Sequence, residues 1–393
     1  MAADAYNKYV IPDLPSAAEV LPYLQRIDEA RWYSNFGPLV CEFEEQLKML
    51  LSRNQASHPT SLSLTTLSSG YHALEVGLHL SGARPGQRVL LPAVTFSACP
   101  LAVQHAGFEP LLADVDAMNW TLTPRIARAA IDHIAVAAVM PVATYGVPLP
   151  TSEWDEFNRD TGIPVVIDAA AAFEAQLLPQ RALVAHSFHA TKPFGIGEGG
   201  LLIGRDPQVI LRGRQYSNFG MIDRIGHMEG TNAKMSEYHA AVGLAQLRRW
   251  GRIKRQRRHL LNLYSRYLQP LAEFASLQPS IETAVVSCLM LLMKKPIADA
   301  LVVKGKQRGV ALHRTYLPPL YRHPYFSHLA IIDNGGVVLC PEADVAKKQA
   351  HMPNCERLMQ CLIGVPFHPF MDEADVITVI DELRTLCCSL LGA

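Results

Sequence analysis

The sequence predicts an α/β fold with a mostly parallel sheet, and three observations carry that prediction. Short apolar runs alternate with helical patterns through the first two thirds of the chain, the rhythm of strands joined by crossover helices. One acid, Asp168, closes the apolar run Pro164-Val165-Val166-Ile167. Ligands in such sheets gather at the carboxyl ends of strands. One lysine, Lys192, stands in a glycine-rich stretch, Ser187 to Gly200, between the apolar runs Ala182–Ala185 and Gly200–Gly204. Held near other cations and partly desolvated, such a lysine is expected to have a lowered pKa and to attack a carbonyl as the free amine.

Composition sets the outer bounds. At 393 residues the chain exceeds the usual single-core limit, so a large and a smaller domain are expected. Hydrophobic residues make up 49% and charged residues 18%, which suits a packed enzyme rather than a disordered chain. Lys plus Arg and Asp plus Glu number 36 each, so no whole-chain field favours nucleic acid or a membrane surface. The apolar runs are too short to span a bilayer, and the start lacks the pattern of a secretory signal. The scattered cysteines show no zinc spacing, and free thiols in a cytoplasmic protein are expected.

In chain order, residues 1–31 read as a lead-in. An extended Tyr9-Val10-Ile11-Pro12 precedes an amphipathic helix from Ser16 to about Ala30, with Ser16 and Glu19 at capping-box spacing. Trp32 to Pro38 is an aromatic-rich turn, and Glu42 to Leu47 reads as helix. After a strand over Ser61–Leu67, Ser68-Ser69-Gly70-Tyr71 opens a helix to about Leu80. A helix start of small residues offers free N–H groups to an anion, although an ordinary N-cap looks the same. Strand Arg88–Pro92 leads to Phe96 and a helix through Ala106. Strand Glu109–Val115, helix 123–132 and strand Ile134–Met140 follow.

Residues 230–247 read as an N-capped helix with an alanine-rich face, and a second, basic helix from Arg252 to about Phe274 reads as the bridge to a second domain. That divides the chain into 1–250, an N-terminal segment with the large domain, and 251–393, the bridging helix with a small α+β domain. The basic run of that helix, without interleaved aromatics, reads as a solvated face. A strand over Thr283–Met293, a helix over Pro296–Gly305, an aromatic, proline-rich loop over Tyr316–Pro324 and a closing helix over Glu373–Leu391 complete the pattern.

Ser187-Phe188 … Lys192 followed by Gly195-Ile196-Gly197-Glu198-Gly199-Gly200 resembles the Schiff-base segment of the DegT/DnrJ/EryC1/StrS family of sugar aminotransferases. Matching segments run from about Trp32 to about Pro369. The resemblance implies a fold-type I transferase dependent on pyridoxal 5'-phosphate (PLP). It implies that Lys192 bonds the cofactor and that Asp168 keeps the pyridine nitrogen protonated, so that the ring acts as electron sink. A helix N-cap is the plainer reading of Asp168. Phe96 matches the stacking aromatic. Gly70, Tyr71 and Ser187 match the phosphate cradle, with Tyr71 in place of the usual Thr. Asn232 matches the residue that reaches the phosphate of a partner subunit's PLP. Lys234 stands where the family has Arg, and Ala171 where it often has Gln or His. Tyr316–Pro324 resembles the family's substrate-side loop, and His313, Arg314, Tyr316 and His323 are the substrate-binding candidates, while His189 reads as a packed loop histidine.

The function implied is transfer of an amino group from L-glutamate to a nucleotide-linked keto-deoxysugar. The product would be an amino sugar for a surface polysaccharide or a glycosylated natural product. The enzyme would be a cytoplasmic homodimer with shared sites and no metal, nucleic-acid or membrane partner. Two rivals stand beside it. A PLP-dependent sugar dehydratase of the same fold replaces the lysine with His, and a non-catalytic regulatory protein would bind the ligand without turnover.

Overall fold

The computed structural model describes residues 5–53, 62–339 and 344–392. The predicted start of the first strand at Ser61 lies outside the described residues; the observed strand is Ser63–Leu67. Two hydrogen-bonded sheets form the centre. One runs in the order Ser63–Leu67, Gly200–Gly204, Leu183–Ser187, Val166–Asp168. The other runs Val338–Leu339, Ala330–Ile332, Glu109–Ala113, Arg88–Pro92, Ala138–Val139. Parallel bridges from Val139 to Val165 and from Val142 to Asp168 join them into one surface. Pairing is parallel from Leu183–Ser187 across to Ala330–Ile332; Gly200–Gly204 and Val338–Leu339 run the other way.

Both faces of this sheet are covered, so its strands are apolar on both sides. Along Arg88–Pro92, Val89 and Leu91 enter one core and Leu90 the other. Along Leu183–Ser187, Leu183 and Ala185 face the first core and Val184 the second. This is the two-residue period of a strand acting on a run with no polar side to offer. The carboxyl ends of Ser63–Leu67, Arg88–Pro92, Val166–Asp168 and Leu183–Ser187 all emerge along the same edge, because these strands share one direction.

The helix after the alanine-rich segment differs from expectation. Residues 237–267 form one helix, Glu237–Tyr267, of 31 residues, where the sequence reading has two. Gly251 does not interrupt it, because Trp250 and Ile253 on either side are both buried and hold the backbone in line. At 1.5 Å per residue it spans about 46 Å. Its first half packs into one core through Ala240, Leu244 and Trp250, its second half into the other through Leu260 and Tyr264. Beyond it, Ala275–Leu277, Leu289–Met293 and Leu362–Val365 make a three-stranded antiparallel sheet. Helices Ala298–Gln307, Pro353–Cys361 and Glu373–Leu391 accompany that sheet. The later chain also returns to the large sheet, where Ala330–Ile332 pairs in parallel with Leu111–Ala113. No helix among the described residues is long and apolar enough to cross a membrane.

Candidate active site

A cavity of about 630 Å³ opens along the edge where the strands end. Gly70, Tyr71, Phe96, Asp168, Ser187, Lys192 and Tyr316 all line it. Seven residues singled out in five separate stretches of sequence therefore meet in one space. A larger cleft of about 810 Å³, bordered by Trp154, Glu174 and Lys254, contains none of them.

One end of the cavity is built by close approach of backbones. Helix Gly70–His79 starts at the rim, with Ser69 as its N-cap accepting from His72 N at 3.2 Å. The first N–H groups of a helix have no intrahelical partner and favour an anion. A Cβ at Gly70 would lie 2.6 Å from the Ser187 Cβ, so only glycine lets the helix start meet the strand end. Gly200 is equally constrained, because a side chain there would run into the Ser69 carbonyl. The Tyr71 hydroxyl is engaged with His105 Nδ1, and burial pushes it up to about 12.

Asp168 is 5% exposed. Its Oδ1 accepts from Ala170 N at 2.8 Å and its Oδ2 from the Cys99 thiol at 3.0 Å. Cys99 in turn lies 3.1 Å from Thr95 Oγ1. Burial first, and then the neighbouring carboxylate, push the Cys99 thiol well up, so it stays a neutral donor. The N-cap reading of Asp168 finds a local echo in the Ala170 bond, but no helix follows it.

Lys192 sits on the loop between Leu183–Ser187 and Gly200–Gly204, its N–H bonded to the His189 carbonyl at 2.9 Å. Its pKa corrects the sequence reading. Burial alone would lower it, but the Tyr316 hydroxyl, which hydrogen-bonds it, and the Asp168 carboxylate raise it above the ordinary value. The neighbours are acceptors and potential anions, where cations were expected. Tyr316 has φ +65° and stacks on Tyr145 with ring centroids 5.1 Å apart; Tyr145 donates to Thr315 O at 3.0 Å. A bulky residue in the left-handed region is held there only when its surroundings fix it. Phe96 lies 6.3 Å from the Tyr316 ring and is 61% exposed at the rim.

The other named residues lie elsewhere. Asn232 accepts from Lys234 Nζ at 2.7 Å and bridges to Asn218, outside this chain's cavity. His313 backs the cavity wall: Thr315 Oγ1 lies 2.6 Å from its Nδ1, and burial lowers it to about 4. Arg314 is engaged by Asp299 and the Met359 carbonyl. His323 contacts the Pro318 carbonyl at 2.9 Å. His189, by contrast, does line the cavity, with Nε2 3.7 Å from a Glu198 oxygen. Sequence reading passed over Tyr9, Cys99, Tyr145 and Cys288. Tyr9 alone carried a signal, the extended run before Pro12; the others are isolated letters in apolar stretches.

The residues present fit PLP. A helix start brought against a strand end by glycine suits a phosphate, a carboxylate at a strand end suits a pyridinium, and a primary amine shares the same cavity. Among the described residues no His/Cys/Asp/Glu group could hold a metal ion.

Comparison with known proteins agrees. The model of the DegT/DnrJ/EryC1/StrS aminotransferase family matches residues 16–384. The Mycobacterium tuberculosis (strain H37Rv) protein Rv3402c is 31% identical over 396 residues, 96% of this chain and 89% of its own. A dTDP-4-amino-4,6-dideoxy-D-glucose transaminase of Shigella dysenteriae is 29% identical over 275 residues, 68% of this chain and 72% of its own. Among solved structures, a Bacillus cereus protein described as a PLP-dependent aminotransferase superposes with TM-score 0.84 at 26% identity, covering 95% of this chain and 98% of that one. DesI, solved in the presence of its TDP-sugar product, gives TM-score 0.79 at 25% identity, covering 99% and 95%. The chain belongs to the DegT/DnrJ/EryC1/StrS aminotransferase family and is a PLP-dependent aminotransferase.

Proposed function

We propose that this enzyme moves an amino group from L-glutamate to the keto group of a nucleotide-linked deoxysugar. The observation that carries the reading is the meeting of Lys192, Asp168 and the Gly70–Ser187 cradle in one cavity. The names of the relatives supply the sugar class: the Shigella dysenteriae relative is a transaminase of a dTDP-linked amino sugar.

Bound PLP supplies an electron sink for the pair left when a proton leaves the amino-acid Cα. Asp168 keeps the proton on the pyridine nitrogen, a charge-assisted contact stronger than a neutral one. Lys192 would be the amine that holds PLP covalently, and the same amine would take the proton from the amino-acid Cα. The Tyr316 hydroxyl fixes the amine during that transfer, because it already bonds Lys192. The helix start at Gly70 and Tyr71, with Ser187, would hold the phosphate, and Phe96 would be the stacking aromatic.

The reading includes a cytoplasmic homodimer in which Asn232 serves the partner's site. Its support is Asn232's place outside its own cavity, beside the hairpin Met221–Gly226. There Phe219, Met221 and Ile225 are exposed apolar side chains that a second subunit would cover. An intact Lys192 argues against the dehydratase, and the paired amine and carboxylate argue against a non-catalytic role.

The test is spectroscopic. L-glutamate should bleach the visible absorbance of the PLP-loaded enzyme, and a nucleotide-linked keto sugar should restore it. A spectrum unmoved by glutamate, or restored by simple 2-oxo acids but by no keto sugar, would defeat the proposal.

A further inference from the structure

The N-terminal strap is pinned on both sides of the cavity mouth. Toward the C-terminal part of the chain, the Ala5 carbonyl meets His368 Nε2 at 2.9 Å, Tyr6 O accepts from Ala311 N at 3.0 Å, and Tyr9 O accepts from Phe367 N at 3.0 Å. On helix Glu237–Tyr267, the Asp13 carbonyl accepts from Gln246 Nε2 at 2.9 Å, and its carboxylate pairs with Arg249. Between these anchors Tyr9 and Val10 line the cavity. The segment spends its backbone hydrogen bonds on fixing where one side chain stands.

Tyr9 is 48% exposed, although its backbone is tied down. Its ring rests on His313 with centroids 4.6 Å apart at 38°. His313 is itself held by Thr315 at 2.6 Å and lies 3.5 Å from the Cys288 sulfur. Burial keeps that imidazole neutral at ordinary pH, so the ring has an uncharged backing. Tyr9 is 48% exposed where Asp168, on the same cavity, is 5% exposed, so Tyr9 stands toward the solvent side. An exposed aromatic fixed at a cavity mouth is an unfinished contact: one ring face rests on His313, and among the described residues no second ring packs on it.

We propose that Tyr9 is a specificity-determining residue for the acceptor, packing its face against the C–H face of the sugar ring while its hydroxyl reaches a sugar oxygen. A pyranose offers an apolar face with a polar edge, which matches a phenol in shape and in polarity. Glutamate is short, and its reacting carbon must stand beside Lys192, so it does not need this outer wall. The inference rests on the nucleotide-sugar reading.

The experiment compares the two half-reactions of the PLP-loaded enzyme, one run from L-glutamate and one from dTDP-4-amino-4,6-dideoxy-D-glucose, followed by the cofactor's absorbance. Tyr9→Ala should raise the half-saturating amino-sugar concentration by roughly tenfold, the loss expected of one apolar contact. The glutamate half-reaction should stay within about twofold by the same argument. Tyr9→Phe should recover most of the loss, since the ring face remains. Calorimetric titration of dTDP-4-amino-4,6-dideoxy-D-glucose should show the same weakening. Equal losses in both half-reactions would make Tyr9 a structural residue and overturn the proposal; so would an amino sugar that binds wild type and Tyr9→Ala equally. If wild type responds to glutamate yet neither binds nor turns over the sugar, the nucleotide-sugar reading falls, and the proposal falls with it.

Discussion

Two buried carboxylates have opposite fates. Glu237 is 1% exposed, and each of its oxygens is taken by a backbone N–H: Leu39 N at 2.7 Å and Val40 N at 2.9 Å. Those donors belong to the first turn of helix Pro38–Arg53, so Glu237 is a cap supplied from across the fold. Asp168 is nearly as buried, yet among the described residues its second oxygen hydrogen-bonds only a thiol, a weak donor, at a cavity wall. A carboxylate saturated by backbone donors is a part of the scaffold. One left with a weak donor facing open space can still take a proton-bearing ligand. Burial marks both alike, and the hydrogen-bond accounting separates them.

The sharpest test of that separation removes the amine that shares the cavity with Asp168. Lys192→Ala should abolish the borohydride-reducible link to PLP and all steady turnover. A reducible link at the same peptide in the variant would contradict the assignment. Next comes the carboxylate itself. Asp168→Asn, saturated with PLP, should slow the single-turnover reaction with glutamate about 100-fold, by analogy with loss of one preorganised electrostatic group. Slowing of less than about threefold would make Asp168 another scaffold carboxylate, since a group of its kind is worth far more than that.

Glu237 should behave in the reverse way. Glu237→Ala strands two buried N–H groups and should cost about 3 kcal/mol of stability, read from the urea midpoint, with little change in rate per folded molecule. A loss of rate without loss of stability would erase the contrast. Asn232 is the intermediate case, because its only side-chain bond within the subunit, among the described residues, is to Lys234. If it serves the neighbouring site, heterodimers of Asn232→Ala and Lys192→Ala chains should regain activity that neither homodimer has. Verified heterodimers without recovery would return Asn232 to the scaffold.

A further effect, spread over a range of pH rather than seen at one condition, is expected from His186. It is 1% exposed, bonds the Ala169 carbonyl next to Asp168, and is lowered by burial to about 4. The unfolded chain protonates this histidine below its ordinary 6.5, and the folded chain resists until about 4. Its stabilising contribution is therefore complete above pH 6.5 and shrinks as pH falls toward 4, by about 3 kcal/mol in all. His186→Phe should flatten that part of the stability profile in urea titrations at stepped pH. An unchanged profile would show that the imidazole is solvated.

Much of the site was legible in the sequence where function and local structure share a run of residues. Asp168 ends a strand, Lys192 follows one within a glycine loop, and Gly70 starts a helix, so each left a local pattern. The partners that tune them left none. Cys99, Tyr145 and Cys288 come from separate segments and meet only after the sheet has formed. The charge on Lys192 was misjudged for the same reason, since Tyr316 arrives from more than a hundred residues away. The continuity of Glu237–Tyr267 was hidden by Gly251, whose low helix propensity is overridden by burial of Trp250 and Ile253. His313 and Arg314 were named from the aromatic loop, yet the fold turns one into a backing for Tyr9 and gives the other to Asp299.

That same helix limits how the protein can be taken apart. Its two halves are rooted in different cores, and a cut beside Gly251 would lay bare Trp250 on one fragment and Ile253 on the other. The trailing fragment would also carry off Ala330–Ile332, leaving the edge of Glu109–Ala113 without its neighbour. Neither piece is a self-sufficient module. Recombining this enzyme with a relative therefore has to exchange the helix whole, and fragment complementation is better attempted in the loops that precede Ser236 or follow Leu268.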